Sequence, residues 1–260
     1  MNNFIRLIQN ENMKIYVRVR TWIMLSILAL LSIGVPILLS LENNATKQSV
    51  WDSFMMSTSF VFFLNTIFAV VIAAESVAGE FSWGTIKLLL IRPWSRSKIL
   101  ASKYIATLLF SILSTVLLAA LSFFTSLLIY STDTIPSMVP PGIGAGKYVF
   151  LSLVCSYVDL FITVAIAFML STVFRSGGLS IGLSLFIMFT KGIFTMIFNP
   201  EKYTWANYLL FNHMDLSRYL VTNQGPGGAT IGFSISILAV YYLILMAVTW
   251  VVFKKRDVAA

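Results

Sequence analysis

Two charged residues lie within otherwise apolar stretches of the sequence and are the strongest candidates for chemistry. Asp159 interrupts residues 148–174, and Lys191 interrupts residues 179–199. A charge inside a membrane is costly, so such residues tend to face the bundle interior and to serve function. With a rise of 1.5 Å per residue, their depths on consecutive antiparallel helices differ by roughly 5 Å. They can therefore form an ion pair, which serves function or only fixes helix register, or Lys191 can face a water-filled path.

The other reactive residue types point away from catalysis. The chain has one cysteine and one histidine, so a zinc site of the usual type is not expected. Cys155 is expected to be a small packing residue, and His213 an interfacial loop residue. A P-loop needs Gly-x-x-x-x-Gly-Lys-Ser/Thr, but Pro141 stands at the first glycine and Tyr148 at the final position. The sequence therefore predicts neither an enzyme nor a nucleotide site.

Long apolar segments position the two charges. The chain has 260 residues, of which 58% are hydrophobic and only 11% charged, far from the composition of a soluble domain. A helix needs about 20 apolar residues to cross a bilayer, and the apolar runs show no alternation typical of a β-barrel. The sequence predicts an all-α membrane protein in a single transmembrane domain. Its six expected spans are residues 21–41, 53–74, 104–130, 148–174, 179–199 and 231–253.

The net charge of +8 indicates topology rather than an acidic partner. With six spans, most of the 18 basic residues fall on one side of the membrane. Cytoplasmic loops carry the excess of Lys and Arg, so both termini are expected in the cytoplasm. Nucleic acid is not an expected partner, whereas the lipid bilayer is.

Three further segments are mixed in character. Residues 2–20 interleave apolar and basic residues, which favours an interfacial helix, with a simple basic flank as the alternative. Residues 75–103 suit an amphipathic helix ended by Pro93, either on the membrane surface or as a docking site. Residues 200–230 are rich in aromatics, which favours short interfacial or re-entrant helices over a loose loop.

Small residues open the fifth span. Gly178 and Gly182 are four residues apart and are expected to let another helix approach closely. Ser180 and Ser184 are likewise four apart and lie together on one helix face.

The segment between spans two and three carries a motif that is similar to that of ABC-2 type transporter permeases. An acidic residue, Gly-Thr, an apolar run, Arg-Pro and Ser-Arg occur in order as Glu80, Gly84-Thr85, Leu88-Leu89-Leu90, Arg92-Pro93 and Ser95-Arg96. Residues 10–24 resemble the opening of that family, and residues 253–258 resemble its ending. Within the family, the chain resembles the small Gram-positive permeases of peptide export or resistance, such as the phenol-soluble modulin exporters.

The resemblance implies a fold, partners and roles. It implies six helices with an N-terminal interfacial helix and a cytoplasmic coupling helix, in a permease of a bacterial cell membrane. Such permeases form like or unlike dimers and bind a separate cytoplasmic ATPase, which holds ATP and Mg, so this chain itself has no cofactor. The implied ATPase-coupling residues are Glu80, Phe81, Gly84, Thr85, Leu88, Arg92 and Arg96. The implied translocation path contains Lys191, Asp159, Met188, Phe194 and Phe63.

The expected function is therefore that of a non-catalytic subunit of an ATP-driven exporter of amphipathic or hydrophobic peptides. Export of a lipid, a drug or an ion would require no change in layout. An ion-coupled secondary transporter that uses Asp159 and Lys191 is a second class. A membrane scaffold or sensor without transport is a third.

Overall fold

Helices form the regular secondary structure of the residues that the computed structural model describes, namely 2–41, 48–85, 94–222 and 224–255. Short 3₁₀ turns occupy Thr204–Tyr208, Leu216–Leu220 and Pro226–Gly228. The α-helices are α1 (Asn2–Tyr16), α2 (Val19–Ser40), α3 (Val50–Ser82), α4 (Arg96–Ile129), α5 (Ala145–Phe174), α6 (Gly177–Ile197), α7 (Leu210–His213) and α8 (Ile231–Lys255).

Six of these helices, α2 to α6 and α8, are long and apolar enough to cross a membrane. The predicted all-α fold with six spans is therefore confirmed. The second and third spans are longer than expected, because α3 reaches Ser82 and α4 begins at Arg96. Hydropathy marks the apolar part of a helix, whereas hydrogen bonding continues into its polar ends.

The bundle has two ends of different character. At the α1 end, α1 packs against α4, near the C-terminal end of α3. At the opposite end, residues 198–230, which we call the cap segment, fold over α5, α6 and α8. The cap segment contains short helical turns, and their predicted interfacial or re-entrant position in the membrane stays a prediction. The position of α1 at a membrane surface stays a prediction.

Helix α3 forms the centre of the bundle. It packs against α2, α4, α5 and α6, and its small residues Ala69, Ala73 and Ala74 are completely buried. Small side chains allow neighbouring helices to approach closely, which favours van der Waals packing where lipid supplies no hydrophobic drive.

Two hydroxyl groups, in α4 and directly after it, donate to backbone carbonyls of α2 around Pro36. Pro36 lies inside α2 and has no N–H, so the carbonyl of Ser32 loses its helical partner. The Ser122 hydroxyl of α4 donates to that carbonyl at 3.3 Å. The Tyr130 hydroxyl donates to the carbonyl of Pro36 at 3.0 Å. Ser122 of α4 and Tyr130, which directly follows α4, thus stabilise the backbone of α2 around Pro36.

A serine in α5 supports the backbone of α3 in the same way. The buried Ser171 hydroxyl accepts hydrogen bonds from the Val77 and Ala78 amides at 3.1 and 2.9 Å. Substituting Ser171→Ala removes this acceptor, and we expect a loss of about 1–3 kcal/mol in unfolding free energy. Thermal unfolding in detergent micelles measures the effect.

Ser59→Ala is the matched control, because its exposed hydroxyl donates to Met55 in its own helix. Equal losses for the two variants would contradict the bridging role of Ser171.

Candidate functional site

Four charged side chains from three helices form a closed set of ion pairs at the α1 end of the bundle. Lys103 of α4 contacts Glu11 of α1 at 2.8 Å and Glu80 of α3 at 2.9 Å. Lys14 of α1 contacts the same two carboxylates at 2.8 and 2.9 Å. Positive and negative groups alternate, and the set is neutral. We call Glu11, Lys14, Glu80 and Lys103 the charge ring.

The charge ring is largely shielded from solvent. The side chains of Lys103, Glu11 and Glu80 are 3%, 6% and 11% exposed, whereas Lys14 is 37% exposed. Removing one member of a buried ion pair leaves its partner uncompensated, which is strongly destabilising. The three helices are therefore held in one fixed relation.

Lys14 lies outside the membrane-spanning helices, and the pKa of its ammonium group shows the effect of the neighbouring carboxylates of the charge ring. Burial alone would lower the pKa of its ammonium group, but hydrogen bonds and charges from Glu11 and Glu80 outweigh burial and raise that pKa. A raised pKa adds stability that is complete below the ordinary value near 10.5 and is lost as the pH rises through the folded-state value. Lys14 therefore stays charged throughout the neutral range.

Further contacts attach the end of α3 to its surroundings. Glu75 pairs with Arg18 at 3.2 Å and also with Arg20, both near the junction of α1 and α2. The Ser82 hydroxyl accepts the Gly177 amide at 3.1 Å, next to the turn between α5 and α6. The C-terminal part of α3 thus contacts five other helices, α1, α2, α4, α5 and α6, or the turns beside them.

The predicted coupling residues that the structure describes lie at two places, namely the end of α3 with the turn after it, and the start of α4. Glu80 and Phe81 belong to α3, and the Phe81 ring lies 5.0 Å from the Arg175 guanidinium. Arg96 begins α4 and donates to the Lys254 carbonyl at the end of α8 at 3.1 Å. Leu88 and Arg92 lie outside the described residues.

Local structure explains the acidic and Gly-Thr parts of the motif. Gly84 has a φ of 69°, a left-handed conformation that glycine adopts without strain just beyond a helix end. This turn places the Thr85 hydroxyl against the Glu80 carboxylate, to which it donates. Glu80 is 8% exposed and its carboxylate faces the other members of the charge ring, and its implied role in ATPase coupling stays a prediction.

The two charges within spans form an ion pair. Lys191 Nζ of α6 lies 2.5 Å from Asp159 Oδ2 of α5. The pair is not sealed, since the side chains are 31% and 27% exposed. Asp159 Oδ1 is buried and has no hydrogen-bond partner among the described residues. Of the two arrangements that the sequence allows, an ion pair or a Lys191 that faces a water-filled path, the structure contains the ion pair.

A cavity of about 1010 Å³ opens above this pair, between α5, α6 and the cap segment. Asp159 and Lys191 line it from the helices, and Glu201, Asp215 and Arg218 line it from the cap segment. Asp215 and Arg218 pair at 3.3 Å. The cavity combines charged groups with apolar side chains such as Met196 and Phe211, so it is suited to an amphipathic occupant.

The other predicted path residues occupy different surroundings. Met188 is 5% exposed and belongs to the apolar core. Phe194 is 42% exposed and stacks on Phe211, which lines the cavity. Phe63 is 51% exposed and contacts Phe189 of α6. The structure thus brings Asp159 and Lys191 together at the cavity but not Met188 or Phe63, and their roles in a path stay predictions.

The expected packing on Gly178 and Gly182 is absent among the residues that the structure describes. Both glycines are exposed, and a Cβ built on either would meet no described atom within 4 Å. The buried face of α6 contains Ser180, Ser184 and Met188 instead. Their spacing of four residues places them on one side of the helix.

The expectation for His213 was wrong. This side chain is 1% exposed and holds hydrogen bonds at both ring nitrogens. The sequence places it in a polar, aromatic segment, where nothing local shows that the segment folds back on α8.

Sequence reasoning also missed three members of the charge ring, namely Glu11, Lys14 and Lys103. One local signal existed, because Glu11 and Lys14 are three residues apart on a helix, a spacing that favours ion pairing. Lys103 and Glu11 are 92 residues apart in the sequence, and no local pattern indicates their contact.

These features define an all-α protein with six helices of membrane-spanning length and two clusters of charges. The chain belongs to the family described as "Protein of unknown function (DUF2705)", which it matches over residues 15–259. It is 31% identical to the "Uncharacterized protein YhcI" of Bacillus subtilis (strain 168), over 98% of this chain and 99% of that protein. It is 27% identical to the "Uncharacterized membrane protein YdbK" of the same organism, over 73% of this chain and 76% of that protein.

The Asp159–Lys191 pair permits a double-mutant test. Lys191→Met leaves a carboxylate without its counter-charge in partly apolar surroundings, so we expect a lower melting temperature. Asp159→Asn combined with Lys191→Met removes both charges and should recover part of the loss, with a coupling of about 1–2 kcal/mol. Thermal unfolding in micelles measures all variants.

Lys202→Met is the control, because Lys202 is an exposed lysine of the cap segment. If the double variant lost as much as the sum of the two single variants, the pair would contribute nothing.

Proposed function

We propose that the chain is the transmembrane permease subunit of an ATP-driven exporter that moves amphipathic or hydrophobic peptides. The six helices suit a transport subunit, and the sequence contains no nucleotide-binding motif. The energy would come from ATP and Mg bound by a separate cytoplasmic ABC ATPase. A second permease subunit, like or unlike, would complete the transporter in a bacterial cell membrane, with both termini in the cytoplasm.

The charge ring is the observation that carries this proposal. Glu80 lies four residues before Gly84, at the entry to the segment that would contact the ATPase. Through Lys14, Glu11 and Lys103, any displacement of that entry acts on α1 and α4 at once. A transport subunit needs such a connection, because an ATPase can only bias membrane helices that move with the surface it pushes.

The attachment extends beyond these three helices. Phe81 and Ser82 contact Arg175 and Gly177 at the turn that joins α5 to α6. Arg96 contacts the last residues of α8. A movement of the segment between α3 and α4 would therefore be transmitted to α5, which contains Asp159, to α6, which contains Lys191, and to α8, which follows the cap segment.

The cavity at the opposite end supplies the other half of the proposal. A space of about 1010 Å³ lies at the upper end of the range of small-molecule pockets, and its mixed lining suits an amphipathic peptide better than a small uniform ligand. In this proposal, Asp159 and Lys191 lie where a substrate leaves the membrane for the external solution. A lipid, a drug or an ion would use the same layout.

The proposal predicts a partner and a coupling defect. Tagged chain purified from its native membrane should carry an ATP-binding subunit and show ATP hydrolysis that an amphipathic peptide stimulates. Glu80→Gln removes one charge of the ring without changing its size, so we expect the peptide-stimulated rate to fall about tenfold while ATP binding persists.

Asp133→Asn is the control, because it neutralises an exposed carboxylate that belongs neither to the charge ring nor to the lining of the cavity. Purified chain without any ATP-binding subunit would contradict the proposal. Full stimulation in Glu80→Gln would show that coupling does not pass through the charge ring.

An ion-coupled secondary transporter is the second candidate, and the half-exposed Asp159–Lys191 pair favours it. Oδ1 of Asp159 has no described partner and could receive a proton or a cation. Vesicles that contain the chain alone distinguish the two functions. Transport driven by an ion gradient without ATP would support this second candidate and contradict the first.

A further inference from the structure

Two arginines at the junction of α1 and α2 share one carboxylate. Arg18 Nη1 lies 3.2 Å from Oε2 of Glu75, and Arg20 contacts the same oxygen. A guanidinium group has five N–H donors in a planar fork, so the one shared oxygen uses only a few of them. Nε of Arg20 is buried and has no hydrogen-bond partner among the described residues.

The same place has a surplus of positive charge. A cleft of about 40 Å³ is lined by the two arginines, Glu75 and the charge ring, with four basic and three acidic side chains in all. The charge ring is neutral, so the surplus belongs to the arginines. Burial and the charge of Arg20 lower the pKa of the Arg18 guanidinium, and the nearby carboxylates offset these effects only in part. A further anion would therefore be stabilised here.

The two arginines lie where α2 begins to cross the membrane. Arg18 directly precedes α2, and Arg20 belongs to its first turn. The 22 residues of α2 extend over about 33 Å, close to the apolar thickness of a bilayer of about 30 Å. The start of α2 therefore lies at the level of the lipid headgroups. Both side chains are 31% exposed, so a headgroup can reach them.

Exposed apolar side chains continue from the arginines along α2. Trp22 lies four residues after Arg18, and Ile23 lies three residues after Arg20, so each shares a side of the helix with its arginine. Trp22 and Ile23 are 59% and 55% exposed. Trp22 Nε1 donates to the Tyr16 carbonyl at 2.8 Å, which holds the indole at the junction. A small anion from solution would gain nothing from this apolar surface, whereas the acyl chains of a lipid would cover it.

A second tryptophan holds Arg18 in place. The Trp83 ring centroid lies 4.3 Å from the Arg18 guanidinium carbon, and Trp83 is 58% exposed. Tryptophan is enriched at the level of the headgroups. With Glu75 and Trp83 both in contact with it, the Arg18 side chain is already ordered, which lowers the entropy cost of binding a ligand.

We propose that Arg18 and Arg20 bind the phosphate group of an anionic phospholipid, with its acyl chains along Trp22 and Ile23. Guanidinium groups bind phosphate oxygens through two parallel N–H···O contacts. A cleft of about 40 Å³ has room for roughly three water-sized groups, enough for the two free oxygens of a phosphodiester. The bound lipid would attach to α3 through the contacts of both arginines with Glu75. The inference does not depend on the proposed transport function.

Native mass spectrometry of the full-length chain in a neutral detergent tests the proposal. Phosphatidylglycerol and phosphatidylcholine with the same acyl chains are titrated separately, and only the first has a net negative charge. The wild type should bind one phosphatidylglycerol about tenfold more tightly than phosphatidylcholine, because charge-assisted hydrogen bonds favour the anionic lipid. Glycerol phosphate, which lacks acyl chains, should displace this lipid only at a far higher concentration.

Arg20→Gln removes the surplus charge and leaves Arg18 to pair with Glu75. The affinity for phosphatidylglycerol should therefore fall about tenfold, to that for phosphatidylcholine. Arg20→Lys keeps the charge and loses the planar fork, so we expect a smaller loss of about threefold. Lys255→Gln is the matched control, because it removes one positive charge from an exposed residue at the same end of the bundle. It should keep the full preference.

Equal or absent binding of the two lipids by the wild type would overturn the proposal. An unchanged preference in a folded Arg20→Gln chain would also overturn it. If Arg20→Gln does not fold, Arg20→Lys decides, and an unchanged affinity of that variant for phosphatidylglycerol contradicts the proposed contact. Displacement of the lipid by an equal concentration of glycerol phosphate would show a site for a soluble phosphate instead.

Discussion

A charge that leaves water must meet an opposite charge, and this requirement organises the α1 end of the bundle. Glu80 is held at the end of α3 by two lysines, and each of these lysines also contacts Glu11. Because Lys14 lies on α1 and Lys103 on α4, satisfying one carboxylate fixes three helices. The cost of an unpaired charge in such a place greatly exceeds the net gain of an exposed pair. The four charges therefore stabilise one another, and loss of one of them weakens the contacts of all three helices.

Buried polar groups elsewhere in the bundle also need partners, although the cost of leaving them unpaired is smaller than for a charge. Ser122 compensates for the amide that Pro36 lacks, and Ser171 accepts two amides of α3. Near the cap end, Asp159 and Lys191 satisfy each other beside a cavity. Because that pair is partly exposed and one carboxylate oxygen has no described partner, it can exchange partners more easily than the charge ring. Rigidity at one end and an adjustable pair at the other are what a transport subunit driven from the cytoplasm would need.

Much of the fold was predictable from the sequence because apolar length is a strong local signal. The six spans follow from runs of about 20 or more residues with at most one charge each, and helices of sufficient length occur at each of them. The pairing of Asp159 with Lys191 was predictable as an alternative, since consecutive antiparallel helices bring similar depths together. Their meeting did not require knowledge of the wider packing.

The rest depended on contacts between residues far apart in sequence. The role of Glu80 in the charge ring depends on Lys103 and Glu11, which no periodicity links to it. Burial of His213 depends on the return of the cap segment to Ser234 of α8. Gly178 and Gly182 match a packing motif, yet Ser180 and Ser184 form the buried face. A small-residue spacing shows that close approach is sterically allowed, and it does not specify which face the neighbours occupy.

The charge ring joins α1 to α3 and α4 as one unit. Hydrogen–deuterium exchange of the full-length chain in nanodiscs tests it most directly, by comparing backbone amides of α1 in the wild type and in Glu80→Gln. Exchange should be faster throughout residues 4–16 in the variant and unchanged in the cap segment. Unchanged protection of α1 in a folded Glu80→Gln chain would contradict it.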